Sequence, residues 1–407
     1  MLSVEQALAA ILVHAKTLGT ETVALADALG RTLAADVFAR EDAPPFANSA
    51  VDGYAVRAAD MAKAGADSPV ILPISVEIHA GEMPTQALKI GTAARIMTGA
   101  PVPDGADAMV MQEDTRLEAS GIAIFEAAKS GQHVRPAGEM WQIGDRILEA
   151  RTPIRASEIG LLAALGQANV SVYRLPRVAV LSTGDELVDA SSSELPPGKL
   201  RDSNSPMLAA LVREAGCVLH SAARVPDNLE QTEAVLRELA DPETGADVII
   251  TAGGVSVGDR DFIKPALENL GTLELWRVAM KPGKPIAYGR IGTTQFFGLP
   301  GNPVSAYVTF ELFARPMLGA MSGRKPDSLS RPTVRATLTE AVSHAPGRRE
   351  YVRAVTESNG LNFITRPAGA QGSGILRSVT LSNSLLIVPE DAGNLAVGAT
   401  VVVLLLN

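Results

Sequence analysis

Residues 177–187, RVAVLSTGDEL, pass from an unbroken apolar run into a glycine and two acids. Arg177–Ser182 reads as a strand, and Thr183, Gly184, Asp185 and Glu186 close it with turn residues. The same form recurs twice. Asp247–Thr251 leads into Gly253-Gly254-Val255-Ser256-Val257-Gly258-Asp259-Arg260-Asp261, and Thr294–Leu299 leads into Pro300-Gly301-Asn302-Pro303-Val304-Ser305. Further strand candidates are Cys217–Val225, Leu273–Ala279 and Pro285–Gly289, with helices at Pro206–Glu214 and Leu229–Leu239. This alternation predicts βαβ units in a mostly parallel sheet, whose ligands lie outside the carboxyl ends of the strands.

Outward from this α/β segment, taken as 173–325, the patterning changes on both sides. Val4, Leu8, Ile11, Leu12 and Ala15 share a helical face, and Ser3 with Gln6 forms a capping box. A second short helical stretch is expected before Asp42-Ala43-Pro44-Pro45, and residues 142–172 read as helix again with Ser157 as cap. Between them, 46–141 carries short β-type runs: Val70–Ile74, Ala106–Gln112 and Gly121–Phe125. The expected organisation is a helical unit of 1–45 and 142–172, interrupted by a β-rich insertion at 46–141. After the α/β domain, 326–407 forms a small β-barrel-like module with strands at Thr333–Leu338, Tyr351–Val355, Ser384–Val388 and Val401–Leu405. The fold class is multidomain α/β plus β.

Composition narrows the function. The 407 residues hold 36 Lys and Arg against 45 Asp and Glu, a net charge of −9, which argues against nucleic-acid binding by general electrostatics but leaves room for local anion pockets. A single cysteine, Cys217, excludes an internal disulfide framework and a Cys-rich zinc site, and its apolar neighbours favour a packing role. No apolar run approaches the roughly 18 residues that would span a bilayer. Glu5 stands where a signal peptide carries positive charge, so a mature, soluble, cytoplasmic protein is expected. The five histidines show no metal-ligand spacing, and neither a Walker motif nor G-x-G-x-x-G is present.

The glycine turns are candidate oxyanion cradles, because glycine lets backbone N–H groups close on an anion. Between the second and third, Met280-Lys281-Pro282-Gly283-Lys284-Pro285 places two lysines in a stiff loop; the alternative is a solvated turn. Asp227 fits a D-x-x-E cap with Glu230, Asp261 fits a cap for the next helix, and Asp185 and Glu186 fit first-turn helix acids. All are equally suited to hold a hard cation beside a phosphate, so cap and ligand stay open. Two compact polar runs in the insertion, 48–56 and 95–103, exceed what a turn requires. In the last module, 346–353 and 371–374 combine Arg, Gly and Ser as an oxyanion site or a surface arginine run.

Together the motifs resemble the molybdopterin molybdenumtransferases, relatives of the C-terminal part of gephyrin. The pieces are NSAVDGYAV, RIMTGAPVP, STGDEL, GGVSVGDRD, KPGKP, GLPGNPVS, and PGRREYVR with QGSG, in the family's order from about residue 3 to the end. The resemblance implies an elongated homodimer of four-part subunits with a pterin-binding α/β part. It implies binding of adenylylated molybdopterin, Mg²⁺-dependent hydrolysis of its pyrophosphate with release of AMP, and insertion of molybdate into the dithiolene. By position, Glu186, Asp227 and Asp261 match the acids around nucleotide and metal. Thr183, Gly184, Asp185, Gly253, Gly254, Ser256, Gly258, Gly301, Asn302 and Pro303 match the pterin and phosphate turns. Lys281, Lys284, Pro285 and Ser305 match the molybdate loop, with Arg348 and Ser373 reaching in from the last module. Asp52 and Thr98 match inserted-domain residues that complete the site from the partner subunit. A molybdopterin adenylyltransferase and molybdoenzyme maturation proteins are the implied partners, with no nucleic acid and no membrane.

The chain departs from the family pattern at Met140 and Ala47, where Asp is usual, and at Gly374, where His is common. These departures keep a non-catalytic molybdopterin carrier and a tungstate-using paralogue as alternatives. A nucleotidyltransferase acting on molybdopterin is a third, which leaves the insertion and the β tail without a role.

Overall fold

The computed structural model describes residues 1–225, 228–254 and 262–406. They form two compact units, one of Met1–Ala35, Arg151–Gly160 and Ala168–Asn407, the other of Asp36–Ala150 and Leu161–Gln167.

The larger unit is built on a six-stranded sheet. Its strands are β1 (Arg177–Thr183), β2 (Val218–Val225), β3 (Val248–Ala252), β4 (Thr272–Arg277), β5 (Pro285–Ile291) and β6 (Thr294–Leu299), in the order β2-β1-β3-β6-β5-β4. β2, β1, β3 and β6 run parallel, and β5 lies antiparallel to both of its neighbours, β6 and β4. β3 and β6 are buried along their whole length, which fits their mostly apolar, non-alternating sequences, with Thr251, Thr294 and Gln295 as buried polar exceptions. Helices α1 (Asn204–Glu214), α2 (Leu229–Leu239), α3 (Ile263–Leu270) and α4 (Pro303–Thr309) follow β-strands as expected. Cys217 is buried, and burial pushes its thiol up to about 12, so it packs and does not react.

α4 continues through a wide π-turn, Phe310–Ala314, into α5 (Arg315–Met321). The widening precedes Pro316, which has no N–H for a bond to Leu312. Inside it, Glu311 is fully buried and receives Arg315 in a bidentate pair at 2.7 and 2.8 Å. Arg331, from the segment entering the last module, bonds the same carboxylate at 3.0 Å.

That module is a closed barrel of β6-following strands β7 (Thr333–Leu338), β8 (Arg349–Ser358), β9 (Phe363–Pro367), β10 (Ser384–Val388) and β11 (Thr400–Leu405). β8 pairs with both β9 and β10, which closes the ring. A two-residue strand from the α/β part, Met280–Lys281, adds to β8 in parallel.

The N-terminal helix is Val4–Leu12, with the expected Ser3/Gln6 capping box. The rest of the expected helical unit is corrected. Thr20–Ala24 is a strand, paired antiparallel with Asn169–Tyr173, and only a single 3₁₀ turn at Leu25–Asp27 follows it. The β-branched residues Thr20, Thr22, Val23, Val170 and Val172 at alternate or adjacent positions favour that ribbon. Within 142–172 the helix is limited to Ala156–Ala164, and Arg146–Leu148 is a strand. Ser157 lies inside the helix bonded to Glu158, whose carboxylate instead takes the Arg155 backbone N–H.

The smaller unit holds a four-stranded sheet of Ile74–Ile78, Ala93–Ile96, Gly53–Val56 and Ala108–Met111, and a three-stranded sheet of Val70–Leu72, Gly121–Ile124 and Thr115–Glu118. Gly53 is required there: a Cβ would stand 1.9 Å from the Val110 carbonyl oxygen. Met140 is 70% exposed, so this position has not been rebuilt as an apolar contact within the unit.

Glu311→Gln should destabilise the larger unit by about 3 kcal/mol, because it leaves two arginines sharing a buried neutral amide. Urea denaturation followed by tryptophan fluorescence and far-UV dichroism measures it; stability equal to wild type would show the carboxylate to be dispensable.

Candidate active site

The loop between β4 and β5 is held by its own backbone and by the barrel. Val278 N–H donates to the Lys284 carbonyl at 3.1 Å, and Arg349 N–H donates to the Ala279 carbonyl at 3.2 Å. Gly283, at φ +100°, is packed so closely that a Cβ would lie 2.4 Å from Thr309 Cγ2. On the barrel side, Val304 N–H, at the start of α4, donates to the Ser373 carbonyl at 3.2 Å. The 371–374 turn is fixed in turn by Gln371, whose amide exchanges bonds with the Arg353 backbone at 2.9 and 3.1 Å.

These constraints enclose a pocket of about 500 Å³. Lys281, Lys284, Pro285, Ser305, Arg348 and Ser373 all line it, although they come from four separate stretches of sequence. Lys281, Lys284 and Arg348 are exposed, so they border the pocket while remaining open to solvent. The pocket also contains residues the sequence reading missed: Glu350, Arg353 and Gln371. Four cations face one carboxylate there, a formal excess of three positive charges.

The cations differ in their environments. Lys281 Nζ lies 2.8 Å from Glu350 Oε1. Lys284 and Arg348 are exposed, with no side-chain partner among the described residues. Arg353 is 1% exposed, yet among the described residues its guanidinium bonds only neutral acceptors: Ser378 Oγ at 3.2 Å and the Tyr351 and Gly372 carbonyls at 3.4 Å. Burial pushes its guanidinium below the ordinary arginine value, against the pull of Glu350. A cation in that position is stabilised by an incoming anion. An arginine embedded in the apolar run Tyr351-Val352-Arg353-Ala354-Val355 was the signal available in the sequence. Glu350 stays ionised: burial raises its carboxyl, but Lys281 and His344 outweigh it and hold it below the usual range.

At the ends of β1, β3 and β6 the glycine turns converge. Gly253 N–H donates to the Leu299 carbonyl at 3.0 Å; a Cβ on Gly253 would lie 3.1 Å from Thr183 Oγ1, and one on Gly301 would lie 3.6 Å from Gly253 Cα. Asn204 bonds the Gly301 carbonyl at 2.7 Å through Nδ2, leaving its buried Oδ1 without a partner among the described residues. Asn302 caps α4 without a side-chain bond, and Pro303 follows at the first helical turn. Asp202, also missed, accepts from Ser182, Ser205 and the Asn204 and Ser205 backbone, and so fixes the start of α1.

Glu186 is exposed, and its carboxylate lies over Gly184, where a Cβ would come within 2.6 Å of it. No helix follows Asp185 and Glu186; the chain enters a two-residue strand, Leu187–Val188, so the first-turn-acid reading fails. Asp227, Asp261, Ser256 and Gly258 lie outside the described residues. The cap of α2 is Asn228, accepting from Gln231 N–H, and α3 has no side-chain cap bond at Phe262. Among the described residues no group of three acids, histidines or cysteines is arranged to hold a metal.

In the smaller unit, Asp52 and Thr98 are brought together as expected. Asp52 Oδ1 accepts from Thr98 N–H at 2.6 Å and Thr98 Oγ1 at 2.8 Å, which lowers its carboxyl from the ordinary value.

Comparison with known proteins gives three matches to family models along the chain: the MoeA N-terminal region (domain I and II) over 2–166, a probable molybdopterin binding domain over 179–320, and the MoeA C-terminal region (domain IV) over 335–406. Molybdopterin molybdenumtransferase 2 of Mycobacterium tuberculosis is 41% identical over 383 residues, 93% of each chain. The molybdopterin molybdenumtransferase of Haemophilus influenzae is 36% identical, covering 94% of this chain and 93% of its own. The crystal structure of the molybdopterin biosynthesis protein MoeA from Pyrococcus horikoshii superposes with a TM-score of 0.87 at 30% identity, over the whole of both chains. With this coverage and these site residues, the chain belongs to the MoeA family of molybdopterin molybdenumtransferases.

Proposed function

We propose that this enzyme inserts molybdate into adenylylated molybdopterin, cleaving the pyrophosphate bond and releasing AMP and the molybdenum cofactor. The observation that carries this is the junction pocket, where six residues anticipated for an oxyanion site meet an unpaired buried arginine. Molybdate is a tetrahedral dianion, and a site with an excess of cationic donors suits it. The converging turns at Thr183, Gly184, Gly253, Gly254 and Gly301 are the place for the pterin and its phosphates, by the rule that ligands of such sheets bind at strand carboxyl ends. Tungstate, of like shape and charge, fits the same donors.

Glu186 fits a hard cation, being an exposed carboxylate at a strand end with no partner among the described residues. It would hold Mg²⁺ together with Asp227 and Asp261. When bound, Mg²⁺ supplies charge neutralisation at the pyrophosphate and orients the attacking water. The protein's own part is to fix both anions and to present cationic donors without rearrangement.

The four-part division at 1–45 with 142–172, 46–141, 173–325 and 326–407 is the working description of its domains, and a cytoplasmic homodimer its working form. No helix among the described residues is long and apolar enough to cross a membrane. A molybdopterin adenylyltransferase must supply the substrate, and molybdoenzyme maturation proteins consume the product. A carrier without catalysis is the second reading, favoured by Met140 in place of the usual acid.

Glu186→Ala should reduce molybdate-dependent AMP release by roughly a hundredfold or more, since a metal contributes several kcal/mol. Its melting temperature should stay at the wild-type value because the side chain is exposed. Full activity would remove the metal role. A wild type that binds adenylylated molybdopterin but never releases AMP would establish the carrier.

Lys284→Ala and Arg348→Ala should each raise the molybdate concentration for half-maximal AMP release by roughly tenfold, the loss of one charge-assisted donor. Molybdopterin binding should change much less. Unchanged half-saturation in both variants would return these side chains to the solvent.

Mixing Asp52→Ala and Glu186→Ala chains should restore activity after subunit exchange, to about a quarter of wild type for a two-fold dimer whose sites take one residue from each subunit. Parents that remain inactive after exchange is demonstrated would place both residues in one subunit's site.

A further inference from the structure

Glu350 is the one carboxylate lining a pocket that otherwise gathers cations. A negative charge there opposes oxyanion binding unless it acts on one of those cations. The parallel register sets Lys281 directly opposite Glu350, and the side chains meet at 2.8 Å. The lysine side chain is 53% exposed, whereas the carboxylate is 6% exposed. A lysine stem free to rotate loses substantial rotamer entropy when a ligand captures it. Lys281 is already fixed by Glu350; Lys284 has no such partner among the described residues.

Behind Glu350 stands a second support. His344 Nδ1 lies 2.9 Å from Glu350 Oε2, and the imidazole is 2% exposed. An ionised carboxylate only accepts, so Nδ1 carries the proton of that bond. Among the described residues buried Nε2 has no partner, so the ring's single polar contact there is with Glu350. The residue is held from its own backbone, where His344 N–H donates to Asn394 Oδ1 at 2.9 Å. The imidazole therefore has no pocket contact of its own and serves to aim the carboxylate.

We propose that Glu350 is a positioning residue, backed by buried His344, that holds the Lys281 ammonium in place as a preorganised donor for the oxyanion. This rests on the reading that the junction pocket takes molybdate. Preorganisation of this kind lowers the ordering cost of binding and does not add a contact to the ligand.

The test has two arms on the full-length protein. In the first, amines are acylated with an N-hydroxysuccinimide ester and each lysine is quantified by mass spectrometry, without molybdate. Lys281 should react more slowly than Lys284 in wild type. Glu350→Gln, which keeps the shape, should raise Lys281 reactivity by roughly threefold or more while leaving Lys284 unchanged, and His344→Leu should do so in part. Equal reactivity of Lys281 in folded wild type and Glu350→Gln overturns the clamp.

In the second arm, molybdate half-saturation of AMP release is measured for Glu350→Gln, Lys281→Met and the double variant. Glu350→Gln should raise half-saturation roughly fivefold with little change in kcat, and should have no such effect once Lys281 is Met. Equal penalties in both backgrounds would show a merely structural role. Tighter molybdate binding in Glu350→Gln alone would show that the carboxylate only repels the anion. Either result overturns the positioning role and leaves the proposed function standing. A wild type that neither binds molybdate nor releases AMP overturns that function and the positioning role with it.

Discussion

The two-residue pairing of Met280–Lys281 with Arg349–Glu350 is the constraint on which the rest of the site depends. A loop carrying two lysines would ordinarily be a solvated connection between antiparallel strands. Here its backbone is captured as an extra strand on a barrel that closes without it. The pairing brings the barrel's arginines to the loop and positions the QGSG turn against the start of α4, where Ser373 accepts the Val304 N–H. Main-chain bonds thus decide where the charges go, and side chains need only be long enough to arrive.

The energetic character of the pocket follows from what surrounds each charge. Glu311, Arg315 and Arg331 show how this fold satisfies buried charge when no ligand is intended: one carboxylate is saturated by two guanidinium groups. Arg353 is at least as buried but, among the described residues, bonds only carbonyls and a hydroxyl. No carboxylate there bonds it as Glu311 bonds its two arginines.

The sequence made the α/β sheet legible because apolar runs ending in glycine turns have few other solutions; in the barrel four strands fall near their expected places, while the fifth, Phe363–Pro367, was not anticipated. The N-terminal unit was less legible. Thr20–Ala24 and Asn169–Tyr173 lie about 150 residues apart in sequence, and nothing local announces their pairing. The six anion-loop residues were legible through motif resemblance. Glu350 and His344 were not, because an acid in a strand and a histidine before a Pro-Gly turn have common bland explanations. Only the register that sets Lys281 opposite Glu350 gives them a shared purpose. Arg353 was nearer to legible, as a charge in an apolar run.

The N-terminal helix braces this same region. Ala279 N–H donates to the Leu2 carbonyl at 2.9 Å, and Glu5 pairs with Arg349, 344 positions along the chain. During synthesis the first helix leaves the ribosome long before its partner is made, and a capped segment of nine residues is too short to be stable alone. The α/β sheet has all its strands once residue 299 has emerged, whereas the pocket waits for 349 and beyond. The order of translation therefore keeps the two loop lysines apart from Arg348 and Arg353 until the α/β strands that carry the loop have been made.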